Sequence, residues 1–233
     1  MVISLFDKKS INADLALHSP LHNSLLVSDG KAPDLSRYYN NGTITGTTWG
    51  IQGRIFDGDD KIDCGTGASL NLTTAISVGG WFKPTTLTGD TRTLLRKGTE
   101  SGYADFAWWL ALQATGEAIF FTSNGVDAQT VNCTSTNQVS VNNWYFIMAC
   151  FDAAVGSYLY VGTPNADPTE WANDETIVGA IPDNAAMNLT VGARKRGVDD
   201  DFFIGIIGEV WIYDELLSLE IVREIYRETL WRY

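Results

Sequence analysis

The acidic side chains near the C-terminus could do chemistry, because paired carboxylates hydrolyse glycosidic bonds. Such a pair flanks the scissile bond at about 5–5.5 Å in retaining enzymes or about 6.5–9.5 Å in inverting enzymes. On a strand, residues two or four apart share a face. The nearest cluster is Glu209, Asp214 and Glu215, but Glu209 and Asp214 are an odd number of residues apart and fall on opposite faces. The sequence therefore predicts no catalytic residues and no enzyme, and a glycoside hydrolase is the least favoured function.

The two histidines, His18 and His22, are the next candidates. If this segment were helical, their spacing would bring both rings to one face and allow them to bind a metal. Pro20 lies between them, and proline disrupts a helix interior. We therefore interpret them as histidines of a flexible segment.

Aromatic side chains bind sugars when one face of the ring remains open beside polar groups. Trp109 shares its strand phase with the small residues Ala107 and Ala111, which would leave such a face accessible. Tyr158 and Tyr160 are two further aromatic residues that share one face of another strand. Packing under a loop or under the C-terminal helix is the alternative interpretation, since Trp and Tyr are often partly buried. The predicted ligand-binding residues are Trp109, Tyr158, Tyr160 and Trp211.

The elements that would position these residues are strands. From about residue 23 the chain reads as a series of short strands separated by turn signals, with almost no helical periodicity before residue 216. This pattern favours two packed antiparallel sheets. The stretch "WYFIMACF" is apolar in both phases, which predicts a central strand covered on both faces. One phase of the strand at 105–112 is predicted to face the core: Phe106, Trp108, Leu110 and Leu112.

The C-terminal stretch begins as a strand and ends as a helix. Ser218 is the predicted N-cap, and Glu220 lies in the first turn, where the helix dipole favours an acid. Ile221 and Ile225 give the helix an apolar stripe that would lie on the sandwich. In the preceding strand, the residues predicted to face the core are Ile204, Ile206, Val210 and Ile212.

The charge and the cysteines limit the partners. A formal net charge of −12 disfavours nucleic acids and anionic membranes. No apolar run approaches the roughly 20 residues of a membrane span.

The odd number of cysteines, without a Cys-x-x-Cys spacing, predicts neither a disulfide framework nor a zinc site. Cys150 is interpreted as a core residue, and one Cys64–Cys133 bridge stays open.

The first 22 residues differ from the rest of the chain. Residues 1–22 lack clear alternation and are predicted to be an N-terminal arm, or a first strand followed by a loop, ahead of a domain at 23–233. The apolar run at the N-terminus is too short for a signal peptide. An arm of this kind could pair with a sheet edge of a neighbouring subunit and form a homo-oligomer.

Five stretches, taken in order, resemble laminin-G-like domains of the concanavalin A-like lectin/glucanase superfamily. They cover roughly residues 23–225, and the resemblance implies a jelly roll of two curved antiparallel sheets. The C-terminal strand and helix resemble the closing segment of that family. The stretches are "PDLSRYYNNGTITG", "IFDGDDKIDCG", "ISVGGWFKP", "NNWYFIMACFDAAVGSYLYVGT" and "LTVGARKRGVDDDFFIGIIGEVWIYDELLS".

The resemblance also implies a structural calcium, since the opening and closing motifs meet in many relatives and hold one. Calcium prefers six to eight oxygen ligands. Asp34, Asn40 and the Gly42 carbonyl would come from the opening motif, and Glu209 from the closing strand. Many relatives have an additional aspartate where this chain has Gly208. Asp34 and Asn40 could instead cap a turn through their own side chains.

The function predicted from the sequence is non-catalytic recognition, most simply of a carbohydrate at a cell or particle surface. The alternative is a structural or assembly module, such as a virion or appendage component, that binds a protein. The predicted partner is thus a glycan or a surface protein, and the predicted location is extracellular or on a virion surface.

Overall fold

The computed structural model describes residues 14–22, 30–89, 91–98, 106–123, 129–177, 179–196 and 198–233. Helix α1 (Leu219–Thr229) is followed by a short 3-10 helix (Leu230–Arg232), and another 3-10 turn lies at Ala68–Leu70. None of the described helices is long and apolar enough to cross a membrane. The strands are β1 (Leu15–Ser19), β2 (Lys31–Ala32), β3 (Gly42–Thr45), β4 (Thr48–Trp49), β5 (Arg54–Asp57), β6 (Lys61–Gly65), β7 (Ala75–Pro84), β8 (Arg92–Gly98), β9 (Phe106–Leu112), β10 (Glu117–Ser123), β11 (Gln129–Gln138), β12 (Tyr145–Asp152), β13 (Gly156–Thr163), β14 (Ala166–Asp174), β15 (Asn188–Val191), β16 (Arg194–Arg196), β17 (Val198–Asp200) and β18 (Ile204–Tyr213).

These strands form two sheets that pack face to face. The first sheet has the order β14-β13-β12-β7-β18-β5-β4, and β1 also pairs with β18. The second sheet has the order β11-β10-β9-β8-β15-β6-β3-β2, while β16 and β17 form a separate hairpin. The strand pairs are antiparallel. The predicted all-β sandwich with a short C-terminal helix is confirmed.

The central strand β12 is buried on both faces, as its apolar sequence predicts. Alternate side chains enter two different clusters because successive residues of a strand point to opposite sides. One set faces the second sheet: Ile147, Ala149 and Phe151. The other set faces α1: Phe146, Met148 and Cys150.

A bulge in β18 changes which of its residues face the core. The register against β7 shifts between Ile207 and Glu209, so the alternation restarts after Gly208. Val210 lies in the inter-sheet core as predicted, but Ile206 packs on the α1 side, and the core position is taken by Ile207. A side chain at Gly208 would not fit, because a Cβ there would lie 2.3 Å from the hydroxyl oxygen of Tyr233.

A second register shift, in β9, makes the predicted core position of Phe106 wrong. Trp108 and Leu110 face the inter-sheet core, but Phe106 lies on the outer face beside Phe121. The register between β8 and β9 shifts between Lys97 and Gly98, which turns Phe106 outward.

The three cysteines are buried and free. Cys64 lies in β6 and Cys133 in β11, and four strands separate them in the second sheet. At about 4.8 Å per strand their backbones are roughly 24 Å apart, far beyond the reach of a disulfide. A Cys64–Cys133 bridge is therefore excluded.

Helix α1 covers the outer face of the first sheet. Ser218 is its N-cap, as predicted, and its hydroxyl accepts a hydrogen bond from the Ile221 N–H. Beneath the helix, Trp81 stacks on Tyr226 with ring centroids 5.5 Å apart and donates its indole N–H to the Thr229 hydroxyl at 2.9 Å. The outer face of the first sheet is thus a second aromatic core.

Candidate functional site

A polar groove crosses the outer face of the second sheet. It has a volume of about 480 Å³ and lies over strands β2, β3, β6 and β15. This groove is a shallow, open depression lined by side chains from four adjacent strands. Its lining residues are Lys31, Asn41, Thr43, Thr45, Lys61, Asp63, Cys64, Gly65 and Asn188.

The alternation of β6 explains why the groove is polar. Ile62 and Cys64 belong to the inter-sheet core. Lys61 and Asp63 therefore point outward, since neighbouring residues of a strand face opposite sides. Thr43 of β3 lies opposite Asp63, and Lys31 of β2 lies opposite Thr43. The pairing register places Lys31, Thr43 and Asp63 in one row across the sheet.

Hydrogen bonds fix the floor of the groove. The Asn188 amide nitrogen donates to both carboxylate oxygens of Asp63, at 2.9 and 2.8 Å, and the Gly65 N–H donates to one of them at 2.8 Å. The Lys31 ammonium donates to the Thr43 hydroxyl at 2.6 Å. The floor is ordered by its own contacts, so a ligand would meet a preorganised set of donors and acceptors.

A buried lysine lies behind this floor. Lys97 of β8 is opposite Leu189 and Trp108, two core residues, and is itself fully buried. Its ammonium nitrogen has no hydrogen-bond partner. Desolvation lowers the pKa of Lys97 to about 8, and the nearby Cys64 and Asp63 partly oppose this shift. At neutral pH the ammonium is still mostly charged.

Trp109, a predicted ligand residue, shares the outer face with the groove but is separated from it. It is half-buried, its ring stacks on Phe121 at 5.8 Å, and the Arg194 guanidinium lies 5.0 Å from its centroid. The row from Asp63 to Trp109 passes through Thr190 and Arg96, which are both buried. A ligand in the groove does not meet Trp109 directly.

The other three predicted aromatic residues lie on the opposite sheet. Trp211 and Tyr160 are buried in the cluster beneath α1, which agrees with the packing alternative. Tyr158 is half-buried and stacks on Tyr160 with centroids 6.2 Å apart. The structure therefore does not bring the four aromatic residues into one platform.

Both carboxylates predicted to bind calcium, Asp34 and Glu209, already have protein partners. Both oxygens of the buried Asp34 carboxylate accept hydrogen bonds: from the N–H groups of His18, Ser36 and Asn40 and from the Ser36 hydroxyl, at 2.7 to 2.9 Å. Glu209 contacts His18, His22 and Arg232. Calcium binding by this chain stays a prediction.

Glu209 is the centre of a buried ionic cluster. Its carboxylate, 2% exposed, accepts hydrogen bonds from the His18 ring at 2.7 Å and from the Arg232 guanidinium at 2.8 Å. His22 Nδ1 lies 3.7 Å from the same carboxylate. The interpretation of both histidines as residues of a flexible segment is wrong, because His18 belongs to β1 and both contact Glu209.

Burial lowers the pKa of His22. The Glu209 carboxylate opposes this shift, while the positive charges of Arg232 and His18 add to it. His22 is therefore held in its neutral form more strongly than an exposed histidine.

A small cleft of about 140 Å³ lies next to this cluster, between β18 and α1. Two acids line it, Glu209 and Glu228, beside His18, Trp211 and Arg232. Its volume corresponds to only about five liquid water molecules. It is too small to enclose two linked sugar rings.

The groove residues were not found from the sequence. Predictions from the sequence concentrated on aromatic residues and on the family motif, so Thr43, Lys61, Asp63 and Asn188 were missed. The alternation in "KIDCG" was a usable signal, because it puts Lys61 and Asp63 on the solvent side of a half-buried strand. Asn188 comes from a distant part of the chain, and only the pairing of β15 with β6 brings it there.

A family model described as the concanavalin A-like lectin/glucanases superfamily matches residues 56–223. No curated protein matches the chain. The solved structures that resemble it share its fold at low sequence identity.

The ligand-binding domain of botulinum neurotoxin serotype D, in complex with N-acetylneuraminic acid, has a TM-score of 0.67 and 14% identity. That match covers 94% of this chain and 52% of the neurotoxin chain, so this chain spans about half of its relative. A mutant Trypanosoma rangeli sialidase with trans-sialidase activity has a TM-score of 0.65 and 15% identity, over 94% of this chain and 34% of the sialidase.

A third structure matches along nearly its whole length. Domain 4 of AbnA, an extracellular arabinanase of Geobacillus stearothermophilus in complex with arabinotriose, has a TM-score of 0.60 and 20% identity. The match covers 91% of this chain and 98% of that domain. This fold therefore also occurs as a separate domain of a larger enzyme.

Proposed function

Because the chain belongs to the concanavalin A-like lectin/glucanase superfamily, we propose that it is a non-catalytic carbohydrate-recognition module, acting at a cell or particle surface. The ligand lies in the polar groove on the outer face of the second sheet. The observation that carries the proposal is the row of Lys31, Thr43 and Asp63 on adjacent strands, with Asn188 hydrogen-bonded to Asp63.

The chemistry of the groove suits sugar hydroxyls. Each hydroxyl both donates and accepts a hydrogen bond, so a sugar needs both kinds of partner. Asp63, the Asn188 amide oxygen and the threonine hydroxyls supply acceptors, while the lysine ammonium groups and the threonine hydroxyls supply donors. Specificity in such a site comes from a few fixed polar groups, and the Asn188–Asp63 contact provides them.

Three similar structures support the proposal because they belong to proteins that bind or process sugars. The neurotoxin domain is in complex with N-acetylneuraminic acid, the arabinanase domain is in complex with arabinotriose, and the third is a sialidase. Another neurotoxin binding domain of the same fold is in complex with synaptotagmin II. A surface protein is therefore the alternative partner.

A glycoside hydrolase is disfavoured by the distribution of carboxylates. Asp63 is the only carboxylate that lines the groove among the described residues. Hydrolysis requires two that flank the bond. The small cleft contains two, Glu209 and Glu228, but its volume of about 140 Å³ is below the roughly 300–1,000 Å³ that is usual for a ligand pocket.

A glycan array tests the proposal, with the purified protein applied in calcium and again in EDTA. Asp63→Ala should abolish the signal, because it removes the acceptor that Asn188 and Gly65 orient. Asp167→Ala, at an exposed position of β14 on the other sheet, is the matched control and should bind like the parent. No bound glycan in either buffer, or an unchanged signal for Asp63→Ala, would reject the groove as a carbohydrate site.

The two buffers separate the question of calcium from the question of the groove. A signal lost only in EDTA would establish a calcium requirement, whereas equal signals would leave recognition to the protein side chains alone.

A further inference from the structure

Two buried hydrogen-bond donors lie side by side on the inner face of the second sheet. Lys97 of β8 is directly opposite Trp108 of β9, and the two residues are 0% and 1% exposed. Neither the Lys97 ammonium nitrogen nor the Trp108 indole nitrogen has a hydrogen-bond partner among the described residues. Directly opposite side chains have Cβ atoms about 4.5–5.5 Å apart, so both groups can donate to one shared atom.

The surroundings of this pair are apolar. Lys97 is also opposite Leu189 of β15, and the next inward positions of β8 and β9 are Leu95 and Leu110. A buried donor without an acceptor destabilises the folded state, and a buried charge without a partner does so more strongly. The pair therefore requires an acceptor that the described side chains do not provide.

The ionisable groups near Lys97 do not serve as that acceptor. The charge of Asp63 raises the pKa of Lys97, but Asp63 lies on the outward side of β6, where Asn188 and the Gly65 N–H donate to it. Asp63 thus offsets part of the lysine charge across the sheet and accepts no hydrogen bond from it. Cys64 points inward, but burial raises its pKa to about 12 and keeps the thiol neutral.

The chemistry of the two donors selects the kind of ligand. An ammonium group and an indole N–H donate hydrogen bonds and accept none. A water molecule that accepted both bonds would still have two protons to place among leucine side chains, whereas a halide ion has none. A halide also brings the negative charge that the lysine lacks on this side of the sheet. A single spherical ion needs only the space between two neighbouring side chains.

We propose that the inner face of the second sheet binds one chloride ion, held between the Lys97 ammonium and the Trp108 indole N–H. The ion completes the hydrogen bonds of both donors and neutralises the buried lysine. This site lies inside the sandwich, on the other side of the sheet from the polar groove, so it does not depend on the proposed glycan. An ion that binds only the folded chain stabilises it by mass action.

Urea unfolding tests the proposal, on protein that has first been unfolded and refolded in chloride-free buffer. Chloride is then added at constant ionic strength, with methanesulfonate as the replaced anion, so that general salt effects cancel. Above the dissociation constant, each tenfold rise in chloride should lower the unfolding equilibrium constant about tenfold. Bromide should have the same effect. Stability that does not change with chloride or bromide would overturn the proposal.

Substitutions assign the effect to the two donors. Lys97→Met should abolish the chloride dependence, and Trp108→Phe, which keeps a ring and removes the N–H, should weaken the apparent affinity for chloride severalfold. Lys83→Met removes the same charge from a half-buried position of β7 in the first sheet and should keep the full dependence. Full dependence in both Lys97→Met and Trp108→Phe would place the ion elsewhere and overturn the site.

Anomalous scattering locates the ion without any substitution, so the proposal can be tested even if a variant fails to fold. Crystals of the full chain grown in bromide should give an anomalous peak between Lys97 and Trp108. A water molecule at that position, or bromide only on the surface, would overturn the proposal. These measurements involve no sugar, and their failure would leave the glycan proposal standing.

Discussion

The two sheets of this sandwich have opposite outer faces. On the first sheet, α1 covers an aromatic layer that includes Trp81, Phe146 and Trp211. On the second sheet, the strands β3 and β6 expose threonine, lysine and aspartate to solvent. On both sheets the outer face is formed by every second side chain of the strands. The two faces differ because α1 covers one of them. Large aromatic residues mark the face beneath α1, and small polar residues mark the groove strands, while the β9 and β10 part of the second outer face holds Phe106, Trp109 and Phe121.

The largest expected loss of stability comes from a substitution in the aromatic layer beneath α1. Trp81→Ala should destabilise the protein by about 3–5 kcal/mol, because it leaves a cavity beneath α1 and removes the stacking on Tyr226 and Tyr233. Urea unfolding followed by circular dichroism measures the change. Trp231→Ala, at a side chain that is 77% exposed, should cost less than about 1 kcal/mol. Equal losses for both variants would show that α1 does not form a core with the sheet.

The second prediction is an increase in the free energy of unfolding, and it concerns the buried Lys97 behind the groove. The pKa of Lys97 is lowered to about 8 in the folded protein, so the unfolded chain binds more protons between about pH 8 and pH 10.5. Above the unfolded pKa of 10.5 the lysine is neutral in both states, so its burial costs no charge-related free energy. This cost grows as pH falls and is complete below the folded pKa of about 8.

Lys97→Met should accordingly raise the free energy of unfolding at pH 7 by up to about 3 kcal/mol, and the advantage should shrink toward pH 10. Urea titrations of both proteins at a series of pH values give the difference, since the other titrating groups are common to both. A variant less stable than the parent at pH 7 would show that the Lys97 ammonium has a counter-ion.

A smaller effect tests how α1 is attached. Ser218→Ala removes the acceptor for the Ile221 N–H and should cost about 1 kcal/mol. Ser218→Asp keeps an acceptor and should restore most of the loss. Affinity for any groove ligand should be unchanged in both variants, since the groove lies on the other sheet. A change in affinity would mean that the two faces are coupled.

The smallest effect concerns the Glu209 cluster beside α1. The folded-state pKa of His22 is lowered, chiefly by burial, so its contribution to stability is present above about pH 6.5 and is lost as pH falls. The parent should lose more stability between pH 7 and pH 5 than His22→Asn. Thermal unfolding at both pH values checks this. Parallel losses in the two proteins would assign the acid sensitivity to other groups.

The fold was predictable because its information is local and redundant. Alternation fixed most strands, "WYFIMACF" fixed the central one, and Ser218 with Glu220 fixed the helix start. Each of these signals depends on neighbours in the sequence. The phase errors at Phe106 and Ile206 occurred where a bulge adds a residue to one strand, and nothing in the apolar pattern marks a bulge.

The candidate site was less predictable because it depends on contacts between distant residues. Asn188 and Asp63 are 125 positions apart, and His18 and Glu209 are 191 apart. Glu209 was predicted to bind a metal because the closing motif resembles that of calcium-binding relatives. The structure adds its partners His18, His22 and Arg232, which lie far from it in the sequence or at the other end of the chain.

The Glu209 cluster also has a mechanical consequence. His18 follows the first described residues and Arg232 precedes the last, and both hold the same carboxylate. A pulling force on the segments that flank this domain would therefore enter and leave at one point, through β1 and the C-terminal turn. The tension would load the Glu209 contacts together with the pairing of β1 on β18, both of which lie on the first sheet, whereas the groove strands β3, β6 and β15 belong to the second.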